Sequence, residues 1–197
     1  MAGLLIAFEG LDQSGKQTQA ESLRDSLTAH GRACRLMSFP DYTTAIGQEL
    51  SRALHGERDY AADVMQLMYI ANRYEHRSTI QQWLRSDEAV VCDRYLASSV
   101  AYGEAQGLDP LWLADIQRFL PAPDLTILLD ISPETAARRK TSGRDRYEQD
   151  LALLSRVRAS YRRQAQASRW VVLDGEKSRA EITAAVLHAV SGALEGS

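Results

Sequence analysis

Cysteine is scarce in this sequence: among 197 residues there are two, Cys34 and Cys92, and both lie in apolar runs of strand character. No disulfide framework is expected, and both thiols should be reduced and buried. An excess of positive charge is also missing, with 23 Lys and Arg against 26 Asp and Glu and a formal net charge of -3. Bulk composition therefore advertises no nucleic-acid surface, and an anionic ligand would need cations placed locally. No apolar stretch approaches the roughly 20 residues that cross a bilayer, and the first run, 4–8, lacks a basic leader and is stopped by Glu9. A cytoplasmic chain with no membrane partner is expected. Repeats, low-complexity tracts and Pro/Gly/Ser linkers are absent, so 1–197 reads as one domain.

With 45% hydrophobic residues the chain can bury a sizeable core. Short apolar runs at 4–8, 33–39, 89–92, 125–130 and 170–173 read as five buried strands. Helix-period segments separate them, among them 16–30, stopped by Gly31, and 63–86, with Val64, Leu67, Met68 and Ala71 at helical spacing. Asp109 before Pro110 and Ser132 before Pro133 mark two further helix starts. The alternation predicts an α/β fold, a three-layer, doubly wound, five-stranded parallel sheet, with ligands at the carboxyl ends of the strands.

Directly after the first strand comes Gly10-x-x-x-x-Gly15-Lys16 at the head of a helix. That spacing in a strand-loop-helix setting is a phosphate-binding loop: the glycines let backbone N–H groups turn inward, the helix presents its positive end, and Lys16 adds a mobile cation. Gly10, Asp12, Gln13, Ser14, Gly15, Lys16, Gln17 and Thr18 are the candidate ATP-binding residues. The residue after the lysine is Gln17 where such loops usually carry a hydroxyl for Mg²⁺, with Thr18 one step on. An amide oxygen can hold the ion or one of its waters, so Gln17 and Asp93 are the candidate metal residues and Mg²⁺, carried with ATP, the expected cofactor.

Beyond the loop, the chain carries in order Phe8-Glu9-Gly10-Leu11-Asp12, Phe39-Pro40, Ala71-Asn72-Arg73, Asp93-Arg94-Tyr95, Leu129-Asp130 with Ser132-Pro133-Glu134, Arg146-Tyr147-Glu148, and Asp174 with Lys177-Ser178. In that order and spacing the sequence resembles the thymidylate kinase family over nearly its whole length. The resemblance implies a P-loop kinase fold with a short lid at about 138–149, transfer of the γ-phosphoryl of MgATP to dTMP, and a homodimer whose interface could involve 63–86. It implies that Asp12 accepts from the deoxyribose 3′-hydroxyl, that Phe39 with Pro40 packs on thymine, that Tyr69 and Arg73 help enclose the base, and that Ser98, Tyr102 and Tyr147 approach the base and the sugar.

The residues have readings of their own beside this one. Asp93-Arg94 closes the third strand next to the loop, where the fork of Arg94 suits a second phosphate. Tyr69 and Arg73, four apart, share a helical face; Tyr69 alone reads first as a core residue, and Tyr102 equally as helix packing. The segment 138–147 is cation-rich and broken by Gly143, as a lid that closes on transferring phosphate would be. Since Gln13 stands where related loops carry arginine, Arg144 and Arg146 are the candidate catalytic cations with Lys16 and Arg94, and Arg139 and Lys140 rank behind them. A kinase for another nucleoside monophosphate or for a deoxynucleoside is the nearest alternative. A nucleotide switch is another, although the chain contains no Asn-Lys pair for guanine.

Overall fold

The computed structural model describes residues 3–140, 147 and 150–195, without the side chains of 194 and 195. In chain order the elements are β1 (Leu4–Glu9), α1 (Lys16–Ala29), β2 (Cys34–Ser38), α2 (Ala45–Leu54), α3 (Ala62–Glu75), α4 (Arg77–Arg85) and β3 (Ala89–Asp93). There follow α5 (Leu96–Ala105), α6 (Pro110–Asp115), β4 (Leu125–Asp130), α7 (Pro133–Arg139), α8 (Leu151–Ser168), β5 (Val171–Asp174) and α9 (Arg179–Glu195). The five expected strands form one sheet in the order β2-β3-β1-β4-β5, and every pairing is parallel.

Continuous apolar runs suit such a sheet because each strand is covered on both faces. Leu4, Ile6 and Phe8 of β1 point into a core with Leu23 and Leu27 of α1 and Ile182, Val186 and Val190 of α9. Leu5 and Ala7 point the other way, with Ile80, Val90 and Tyr95. A third core gathers α5 and α8 through Ala101, Leu154, Val157 and Tyr161. The register sets Phe8 beside Asp93 and Asp130 beside Asp174, so β1, β3, β4 and β5 deliver their carboxyl ends along one rim. Arg158 of α8 grips Asp130 with Nε at 2.7 Å and Nη2 at 2.9 Å, fixing α8 over that rim.

Asp109 and Ser132 cap α6 and α7 as expected, accepting from Leu111 N and Thr135 N ahead of their prolines. The single helix expected over 63–86 is instead two, divided at His76. There the N–H bonds the Arg73 carbonyl three residues back, and the imidazole is drawn to Asp41 Oδ2 at 3.0 Å and to the edge of Phe39. Apolar periodicity carries through the break, so the sequence pattern hides it. Cys92 is buried as expected; Cys34, on the edge strand β2, is only half-buried, and both are free.

Candidate active site at the carboxyl rim of the sheet

The loop from β1 to α1 is shaped by its glycines. Gly10 has φ 139°, and a Cβ there would stand 2.4 Å from the Leu129 carbonyl oxygen, so no side chain fits. Gly15 has open space around it, and its requirement is the left-handed backbone at φ 92° alone. It caps α1 with no side-chain hydrogen bond, which leaves the first N–H groups of the helix directed at whatever anion the loop receives. Ser14 is buried beneath the loop, Gln17 faces solvent and donates its amide to Glu21 Oε1 at 3.0 Å, and Thr18 is half-buried.

Lys16 is 5% exposed and donates Nζ to the Leu11 carbonyl at 2.8 Å. Burial, reinforced by the nearby Arg94 cation, pulls its pKa down to about 8. Phosphates brought beside it would restore the ammonium. ATP binding is therefore expected to take up roughly three quarters of a proton at pH 8.5, since about that fraction of Lys16 is neutral there beforehand. Affinity should fall as pH rises past 8. Calorimetry in buffers of different ionisation enthalpy checks this, and equal heats in all buffers at pH 8.5 would refute it.

Arg94, one residue past β3, takes φ 65°, an uncommon backbone for arginine, and its N–H is held by the Phe8 carbonyl at 2.9 Å. The turn throws its guanidinium back onto the loop. Nη1 donates to the Gly10 carbonyl at 3.0 Å, Tyr161 Oη at 3.1 Å and Ser98 Oγ at 3.2 Å. Nη2 meets Asp12 Oδ1 at 2.8 Å and Tyr102 Oη at 3.4 Å. Burial alone would raise the Asp12 pKa, but Arg94 and Lys16 outweigh it and hold the carboxyl well below the usual range.

Behind this cluster lies Glu9, fully buried, which ends the first apolar run and belongs to the Phe8–Asp12 stretch but has no role of its own in the sequence analysis. Its Oε1 accepts from Tyr95 N at 2.9 Å, and its Oε2 from Ser98 Oγ at 2.7 Å and Tyr161 Oη at 3.2 Å. Ser98 and Tyr161 in turn touch Arg94, so Glu9 orients the guanidinium through two hydroxyls. A charged residue closing a buried strand was the available signal for Glu9; Tyr161, far along the chain on α8, gave none.

A cavity opens from Arg94 and Asp12, and the sequence candidates Phe39, Pro40, Tyr69, Arg73, Ser98, Tyr102 and Tyr147 all line it. Phe39 is held against Tyr95, with ring centroids 5.8 Å apart, and Tyr102 against Tyr147 at 5.9 Å. Arg73 is 2% exposed and donates Nη1 to Ser99 Oγ at 2.7 Å and Gln117 Oε1 at 3.3 Å. Both partners are neutral, and burial lowers the pKa of this cation. Ser99, Gln117 and the cavity residue Gln66 escaped the sequence reading because their proximity is purely tertiary.

Among the described residues no three of His, Cys, Asp and Glu gather into a metal cage. A magnesium ion that travels with a triphosphate needs only one or two carboxylates, with phosphates and water as its other ligands. Asp93 suits that role: it ends β3, its charge acts on Lys16, and its buried Oδ1 has no hydrogen-bond partner among the described residues. Arg144 and Arg146 lie outside the described residues. Arg139, ranked behind them, donates Nη1 to the Gln13 carbonyl at 3.0 Å and Nη2 to the Gly175 carbonyl at 2.9 Å, joining the loop to the turn after β5.

The chain matches the sequence model of the family described as thymidylate kinase over residues 8–186. It is 34% identical over 194 residues to the thymidylate kinase of Schizosaccharomyces pombe, covering 96% of this chain and 92% of that protein. An Arabidopsis thaliana thymidylate kinase is 41% identical over 146 residues, a match that spans 56% of that longer protein. The solved thymidylate kinase of Candida albicans superposes with a TM-score of 0.82 at 28% identity, over 97% of this chain and 92% of the other. A phosphate loop, an arginine folded back on it and an adjoining lined cavity thus occur in a chain that belongs to the thymidylate kinase family.

Proposed function

We infer that the protein transfers the γ-phosphoryl group of MgATP to the 5′-phosphate of dTMP, giving dTDP and ADP. The observation that carries this reading is the position of Arg94. One guanidinium reaches the Gly10 carbonyl at the mouth of the phosphate loop and also lines the cavity with Phe39, Tyr69 and Arg73, so donor and acceptor phosphates would meet on a shared cation. The attacking phosphate oxygen is already anionic at neutral pH, so no general base is required. Catalysis is positioning and charge neutralisation.

In this reading Gly10, Asp12, Gln13, Ser14, Gly15, Lys16, Gln17 and Thr18 surround the ATP phosphates, and Lys16 follows the charge that develops on the γ-phosphoryl. Arg94 grips the acceptor phosphate, releasing part of its hold on Asp12, whose carboxylate turns to the sugar hydroxyl. Tyr102, already hydrogen-bonded to Asp12 Oδ2 at 3.1 Å, packs where a ribose 2′-hydroxyl would go. Phe39, Pro40, Tyr69, Arg73, Ser98 and Tyr147 enclose the rest of the nucleotide. Asp93 would hold Mg²⁺, with Gln17 second because its amide is turned to Glu21; the ion would supply neutralisation of phosphate charge. A lid arginine, Arg144 or Arg146, is assigned to the transferring group. Residues 1–197 act as one cytoplasmic domain with small nucleotides as partners. A second copy of the chain would cover the exposed Val64 and Leu67 of α3.

Turnover on an acceptor panel, with ADP release as the readout, tests the assignment. dTMP should exceed dUMP, UMP, dGMP and thymidine in kcat/KM. Preference for thymidine would point to a nucleoside kinase, and ATP binding without ADP release on any acceptor would point to a switch.

A further inference from the structure

Gln66 is a polar residue of the acceptor cavity that the reading above leaves without a task. It is 1% exposed on α3, three residues before Tyr69 and seven before Arg73, hence on the same helical stripe. Its stem is wedged: a Cβ at Gly103 of α5 would stand 3.3 Å from Gln66 Cγ and 2.4 Å from Leu113 Cδ1. Its amide end is not held. Oε1 and Nε2 are both shut off from solvent, and neither has a hydrogen-bond partner among the described residues. Buried polar groups are almost always paired, and leaving both halves of a carboxamide unmet is unfavourable unless a bound molecule meets them.

Arg73 Nε, on the same stripe, is likewise buried and unmet. Both residues line the cavity, and once turned into it together they would offer a donor, an acceptor and a donor. The imide edge of a 2,4-dioxopyrimidine presents the complement: O4 accepts, N3–H donates, O2 accepts. Cytosine presents a donor, an acceptor and an acceptor, and so opposes like with like at two of the three places. We propose that Gln66 is a specificity-determining residue whose amide oxygen accepts from N3–H of the thymine base and whose amide nitrogen donates to O2, beside Arg73 on O4. This inference rests on dTMP being the acceptor.

Wild-type, Gln66→Met and Gln66→Glu enzymes are compared on dTMP and N3-methyl-dTMP. In the wild type, N3-methylation is expected to lower kcat/KM at least 100-fold, because it removes the donor and leaves the amide oxygen unmet. Gln66→Met, close to glutamine in volume, should raise the KM for dTMP about 10- to 100-fold with kcat and the KM for ATP within about threefold, the pattern of lost uniform binding. In that variant the N3-methyl penalty should shrink at least tenfold, showing that residue 66 and N3–H act on each other. Gln66→Glu keeps the acceptor oxygen and should fall between, and it carries the comparison if the Met variant melts early. A dTMP KM within twofold of wild type, an equal N3-methyl penalty in all three enzymes, or a joint fall of kcat and melting temperature at unchanged KM would overturn the proposal. Wild-type enzyme inactive on dTMP but active on another acceptor would instead sink the acceptor assignment itself, and that result is read before any variant is made.

Discussion

A Lys16→Met enzyme is expected to lose about a thousandfold in kcat, roughly 4 kcal/mol of transition-state stabilisation, while becoming more stable to heat. Both halves follow from one environment. Lys16 is buried at the head of α1, and among the described residues its hydrogen-bond acceptor is the Leu11 carbonyl. With the folded pKa at about 8 against an ordinary value of 10.5, the unfolded chain binds more protons than the native one between those limits. Stability therefore rises with pH across that window, and below pH 8 the native state carries the full penalty, on the order of 3 kcal/mol. Methionine removes the charge and keeps the stem. Melting curves at pH 7 and single-turnover phosphoryl transfer are the measurements. A variant that melts earlier than wild type, or one that turns over normally, would contradict the placement of Lys16 as a cation held strained for a ligand.

How far the sequence reveals this site depends on whether a feature is local. The cradle is legible because its glycines, lysine, strand and helix are contiguous in the chain, and the fold class because buried parallel strands read as unbroken apolar runs. Arg94 is legible as a motif, but its left-handed backbone and its five partners are not. Those partners come from the loop, α5 and α8, and nothing in residues 93–95 announces Tyr161 on a helix 67 positions later. Glu9 shows the same limit in reverse, being adjacent to the loop yet interpretable only once Ser98 and Tyr161 are seen to lean on it. The break at His76 was hidden because Asp41 and Phe39, which draw the imidazole away, approach from a different element. Arg73 is placed by its spacing on the helical face of Tyr69, and it is enclosed. Its immediate partners, however, are two neutral side chains of α5 and the segment after α6.

Arg94→Ala should damage both folding and chemistry, and a second substitution separates the two. The guanidinium is the nearest countercharge of Asp12, at 2.8 Å, and the ion pair keeps that carboxyl ionised far below its ordinary range. A depressed carboxyl pKa contributes stability that is present above the unfolded value near 3.8 and is lost as pH falls toward the folded one. Removing Arg94 leaves the half-buried Asp12 without its ion-pair partner, with an expected loss of roughly 1 kcal/mol at pH 7 once solvent screening is counted. Arg94→Ala with Asp12→Asn takes away the stranded charge and should recover most of that stability. Activity should not follow: kcat/KM for the acceptor is expected to stay roughly 10³- to 10⁴-fold below wild type in single and double variants alike, because the other described guanidinium lining the cavity, Arg73, is tied to Ser99 and Gln117. Arg94→Lys keeps the charge near Asp12 but not the fork, and should resemble wild type in urea midpoint while remaining at least about 100-fold slower. The decisive comparison is urea midpoint against acceptor kcat/KM across the four proteins. If turnover returned in step with stability in the double variant, Arg94 would be a brace for Asp12 and not the group that holds the second phosphate.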